Sequence, residues 1–174
     1  MRQTKKLALS AILVALGAAF MIFGAVFEVL DLTACAFASL IMVFVYLEIG
    51  SPYTYLVWIC TTLASALMYS ASILWVEYFL VFGIYPVLKG YFERLPRPLW
   101  IVVKLVFINV VLALIYAVCE LVFKIPFFDG DNVVLNVAVC VLVNVAFVAY
   151  DMFINVMVKF YTVRIRPRIA KFLK

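Results

Sequence analysis

The chain reads as a succession of long apolar runs separated by short polar breaks. From Leu7 to Ile49 the only charged residues are Glu28, Asp31 and Glu48. A single helix over this stretch would extend about 65 Å, twice the hydrocarbon thickness of a bilayer, so the chain must fold back near Glu28–Asp31. This predicts a first helix over about 7–27 and a second over about 32–48, ended by the turn residues Gly50, Ser51 and Pro52. Tyr53 to Tyr91 carries one acid, Glu77, before Lys89. It is again too long for one crossing, and its least apolar point is Tyr69-Ser70-Ala71-Ser72. A third helix over about 53–70 and a fourth over about 74–91 follow, the fourth kinked at Gly83 and Pro86 because proline removes a backbone donor.

A polar connector, Glu93 to Pro98, precedes a fifth helix over about 99–123. The stretch Lys124 to Asp131, with the turn signal Asp129-Gly130, precedes a sixth over about 133–161, and a basic tail occupies 162–174. Neither strand alternation nor a repeat of 20–50 residues is present.

Composition turns these runs into membrane spans. Of 174 residues 70% are hydrophobic and 13% charged, and mean hydropathy is +1.24. Soluble domains lie near half apolar and a quarter charged, so lipid is the expected solvent for most of these side chains. The expected fold is all-α: a polytopic membrane protein with six transmembrane helices forming a single domain over 1–174. The basic start followed by Leu7–Phe27 has the outline of a signal peptide, but this apolar run is long enough to span and is expected to remain as the first helix.

The net charge of +5 is a matter of location. With the N-terminus inside, inner segments hold 13 of the 14 basic residues and only Lys124 falls outside. The outer turns hold Glu28, Asp31, Glu77, Glu120, Asp129 and Asp131. An even number of spans gives this positive-inside asymmetry, with both termini cytoplasmic in a cytoplasmic-type membrane. The basic residues are thus expected to serve the lipid bilayer, and no nucleic-acid partner is expected.

Chemistry is sparse. The chain has no histidine, which excludes His-based metal sites and Ser-His-Asp triads. Cys35, Cys60, Cys119 and Cys140 stand alone in apolar runs without metal-ligand spacing. No phosphate-binding loop, HExxH or GxSxG motif occurs, so neither catalysis nor a cofactor is expected.

Three groups of residues stand out. On the first helix the small pairs Ser10-Ala11, Gly17-Ala18 and Gly24-Ala25 recur every seven residues, and Ala11, Ala15 and Ala19 form AxxxA steps. Such surfaces permit close helix packing in lipid, either within the chain or against another subunit. The sixth helix carries a polar stripe, Asn136, Asn144, Asp151 and Asn155, and the fifth offers Lys104 and Asn109. Toward the inner side Lys104 and Asp151 are expected to form an ion pair, and an interhelical polar clamp fits this inner cluster as well. Toward the outer side, Glu28, Asp31, Trp75, Glu77, Tyr116, Glu120, Asn136 and Asn144 are candidates for a small-molecule site. Its acidity would favour a cationic or amine-bearing ligand, while an aromatic interface belt is the competing reading.

The stretch Lys6-Leu7-Ala8-Leu9-Ser10-Ala11-Ile12-Leu13-Val14-Ala15-Leu16, the AxxxA steps, and Leu30-Asp31-Leu32 before the second helix resemble the substrate-binding S components of energy-coupling factor (ECF) vitamin transporters. Six spans and a length below 200 residues agree with that family. The resemblance implies that Ala11, Ala15 and Ala19 meet a membrane coupling subunit that works with two ABC ATPases. It also implies that a ligand binds in the outer half, under the loop joining the first two helices. The substrate stays open, as does a membrane scaffold of similar fold acting in cell shape or wall synthesis. An autonomous secondary transporter is a third class, which the missing repeat disfavours.

Overall fold

The computed structural model describes residues 3–124 and 133–167, apart from the side chains of Glu28 and Arg97. Every regular element among them is helical: α1 (Gln3–Val26), α2 (Asp31–Glu48), α3 (Ser51–Met68), α4 (Leu74–Glu77), α5 (Tyr85–Phe92), α6 (Arg97–Val118) and α7 (Val133–Phe160). A 3₁₀ turn, Glu28–Leu30, makes the predicted reversal between α1 and α2, and Gly50 at φ 107° separates α2 from α3. The break after Met68 falls where the least apolar residues put it.

Among the described residues four segments are long and apolar enough to cross a membrane: Gln3–Val26, Asp31–Glu48, Pro98–Phe123 and Val133–Ile165. The other two predicted spans differ for reasons visible in their residues. α3 carries four tyrosine, threonine or serine side chains in its first five positions and more hydroxyls beyond them. The stretch predicted as one helix over 74–91 is divided into α4, a π-turn at Tyr78–Phe82 and α5. Gly83 and Pro86 weaken the ladder there, as predicted. Trp58 adds a second cause: its Nε1 donates to the Phe79 carbonyl at 3.2 Å and its ring stacks on Phe79 at 4.7 Å. A side chain at Gly83 would collide with that indole. α6 and α7 likewise end in π-turns, Cys119–Phe123 and Tyr161–Ile165, so helical structure enters the region predicted as tail. The predicted loop acids Asp129 and Asp131, and the tail beyond Pro167, lie outside the described residues.

The chain forms two compact units, one drawn from Met1–Val87 with Met152–Lys174, the other from Leu88–Asp151. In the first unit α1, α2 and α3 pack on one another around Met21, Cys35, Ala38, Met42, Val45 and Val57. Glycine makes this possible. A Cβ at Gly24 would stand 2.6 Å from the Ala34 Cβ and 3.1 Å from Leu74, and one at Gly17 would stand 3.1 Å from Thr61. Close backbone approach of this kind replaces the hydrophobic drive that is absent in lipid. Three of the buried hydroxyls of α3 are satisfied locally: Thr54 donates to Gly50 O, Thr62 to Trp58 O and Ser65 to Thr61 O, while Thr61 hydrogen-bonds Tyr78.

One end of this unit gathers both ends of the described chain. Lys6 Nζ donates to the Ile49 carbonyl at 3.3 Å, at the C-terminus of α2 where a cation is favoured. Arg166 Nε meets Glu48 at 3.0 Å, and Tyr161 packs edge-on against Phe44. The second unit is organised differently. α6 and α7 meet through long side chains, with Phe107 between Phe92 and Phe147 at ring separations of 5.9 and 6.3 Å.

Candidate functional site

The densest polar chemistry lies in the second unit. α5 carries Lys89 with Glu93 four residues on, α6 carries Lys104 about two turns into its length, and α7 carries Asp151. Lys104 Nζ lies 3.0 Å from each oxygen of the Asp151 carboxylate. Lys89 Nζ donates to Asp151 Oδ1 and, at 3.2 Å, to the Asp151 carbonyl. Glu93 Oε1 completes the group at 3.1 Å from both ammoniums. The Trp100 ring lies 4.2 Å from Lys104 Nζ, adding a cation–π contact. Both lysines and Asp151 are buried, and such charges persist only when paired and hydrogen-bonded. The sequence reading names Lys104 and Asp151 but not Lys89 and Glu93. The i, i+4 spacing of Lys89 and Glu93 was the available signal, hidden because Lys89 reads as an interface anchor and Glu93 as connector.

Farther along α6 and α7, Asn109 and Asn144 form a reciprocal amide pair at 3.1 and 3.3 Å. Each also donates back to its own helix, to Leu105 O and Cys140 O at 2.8 Å. Both N–H groups of each amide are thereby used. Asn155 is exposed and stands apart from this set.

Four predicted ligand residues belong to this unit. Asn136 and Asn144 line an open cleft of about 710 Å³ whose other walls are chiefly valines of α7. Tyr116 and Glu120 lie outside its lining and hydrogen-bond to each other. In the first unit, Asp31 and Glu77 are half-buried and within electrostatic reach of each other and of Cys35. Trp75 donates its Nε1 to Ser70 O at 3.3 Å and borders a cleft of about 10 Å³, room for a water at most. The Glu28 side chain lies outside the described residues. The four cysteines are not disulfide-bonded; Cys35 and Cys119 are buried, Cys60 and Cys140 half-buried.

α1 resolves its small residues into two faces. Ser10, Gly17, Ala18, Gly24 and Ala25 are buried against the rest of the first unit, with the Ser10 hydroxyl donating to Lys6 O at 2.8 Å. Ala8, Ala11, Ala15 and Ala19 are all exposed, at helical spacings of three and four, with Ile12 and Leu16 beside them. By spacing alone these residues fall on one surface. The structure separates a face already used from one turned outward.

No family model, curated protein or solved structure matches the chain.

Proposed function

We propose that this chain is the substrate-binding S component of an ECF-type importer. It spans a cytoplasmic membrane six times and works with a membrane coupling subunit and two ABC ATPases that supply ATP hydrolysis. The observation that carries this reading is the outward ladder Ala8, Ala11, Ala15 and Ala19. On a helix whose other small residues are already consumed by internal packing, a second small-residue face suits close approach by a helix of another subunit.

The topology has its own support. Lys6 and Arg166 meet the same end of α2, as expected when both chain ends lie on one side of the membrane. As continuous helix the stretch Leu74–Phe92 would rise about 28 Å, close to one hydrocarbon thickness, so it and α3 have the length needed for the two further crossings of the proposed six. Asp31, Glu77 and Trp75 supply acidic and aromatic groups suited to a cationic or amine-bearing ligand.

The test is affinity purification in mild detergent followed by mass spectrometry, with wild type and the Ala11→Leu/Ala15→Leu double variant. A membrane coupling protein and two ABC ATPases are expected with wild type, and their recovery is expected to fall severalfold in the variant at unchanged expression. Recovery of wall-synthesis proteins instead sinks the transporter reading in favour of a scaffold. Undiminished ATPase recovery with the variant removes the α1 ladder as the docking face.

A further inference from the structure

The four charges of the Lys89, Glu93, Lys104 and Asp151 cluster balance, but their burial does not. The side chains of Lys89 and Lys104 are each 6% exposed and that of Asp151 is 12% exposed, whereas Glu93 is 40% exposed. The three enclosed groups therefore carry a net charge of +1, and the exposed Glu93 is what neutralises them. Glu93 also lies one residue past the end of α5, where the helix dipole disfavours an acid. Its own position holds it poorly; the two ammoniums hold it.

A single carboxylate oxygen with an ammonium 3.1 Å away on each side occupies the seat that an oxyanion would take. The surroundings favour a visitor of the same sign. Between Lys89 and Lys104 the chain carries Arg94 and Arg97 against Glu93 alone, and Arg94 is exposed beside the Tyr91 ring. We propose that Lys89 and Lys104 form a binding site for a phosphate oxyanion, with Glu93 as a built-in occupant that swings out when the anion enters. Asp151 stays in place and keeps the two ammoniums aimed at the seat. The oxyanion has two sources, a free phosphate group or the headgroup of an anionic lipid, and both present the same oxygens. This site is independent of the transporter reading, since it rests on the second unit alone.

The experiment compares wild type with Glu93→Gln, which removes the competing charge and keeps the shape. Inorganic phosphate is titrated against each protein in neutral detergent, with thermal stability as readout and sodium chloride at equal ionic strength as control. In parallel, stability is measured in nanodiscs of phosphatidylcholine with and without phosphatidylglycerol. Removing an internal competitor tightens the apparent affinity by the fraction of time the seat was blocked, so about a tenfold gain is expected in Glu93→Gln. A gain with inorganic phosphate identifies a free oxyanion as sufficient, and a gain with phosphatidylglycerol alone identifies the lipid headgroup; either supports the site. No gain with either probe overturns it and leaves Glu93 as a structural partner of the lysines. If Glu93→Gln cannot be purified, wild type decides. A saturable rise in Tm with phosphate or phosphatidylglycerol, absent with chloride, supports the site, and its absence overturns it.

Discussion

The two units solve the same problem, holding helices together where lipid offers no hydrophobic incentive, by opposite means. In the first, glycine and alanine let backbones touch: Gly24 against Ala34, Gly17 against Thr61. In the second, long side chains bridge wider gaps: two lysines onto Asp151, one amide onto another, Phe107 between two phenylalanines. The difference lies in what each tolerates. Contact through small residues is lost by adding atoms, and contact through charges is lost by removing one.

Substitutions of each kind break that contrast at different cost. Asp151→Leu removes the carboxylate on which both lysines converge and leaves two buried ammoniums short of a partner. A loss of about 3–5 kcal/mol is expected, read from unfolding in detergent. The triple variant Lys89→Met/Lys104→Met/Asp151→Leu is expected to recover most of it, because the cost is the unpaired charge. If Asp151→Leu unfolds like wild type, charge does not hold the second unit.

Gly24→Val tests the first unit by addition. Its methyls meet Ala34 and Leu74, and about 1–3 kcal/mol of overpacking is expected, with partial rescue by Ala34→Gly. A neutral Gly24→Val would mean that α1 and α2 have room to part. The smallest effect belongs to Asn144→Leu, which removes a hydrogen-bonded pair but leaves Asn109 its bond to Leu105 O. Roughly 1 kcal/mol is expected, since interhelical hydrogen bonds in membranes are worth little more. A cost matching that of Asp151→Leu would make the amide pair, and not the charges, the centre of the unit.

Much of this arrangement is legible in the sequence because apolar runs are limited by bilayer thickness. The reversal near Glu28–Asp31, the break after Met68 and the weakness at Gly83 and Pro86 follow from that constraint and from turn chemistry. Lys104 and Asp151 stand out because an ionisable residue within an apolar run demands a partner. Lys89 and Glu93 do not, because at the edge of a run water is an equally good explanation for a charge. The two faces of α1 are hidden for a related reason. Alanine and glycine are small whichever way they point, so spacing finds Ala11, Ala15 and Ala19 but cannot say whether internal packing has already used them. The full extent of the break over Leu74–Phe92 depends on Trp58, which is distant in sequence and gives no local signal.

The ion cluster has a topological consequence. The second unit begins at Leu88 and ends at Asp151, so Lys89 and Asp151 stand at the two ends of one long excursion of the chain. Their pairing closes that excursion at its base, as a disulfide would, but reversibly. Closing a loop of roughly 60 residues costs on the order of 4 kcal/mol in chain entropy, and here charged side chains offset it in place of a covalent bond. The first unit is thereby discontinuous in sequence: it contains the polypeptide that follows Asp151 as well as the one that precedes Leu88. During synthesis α1, α2 and α3 can pack as they emerge, but Tyr161 and Arg166 reach Phe44 and Glu48 only after the whole excursion has been made and the chain has returned.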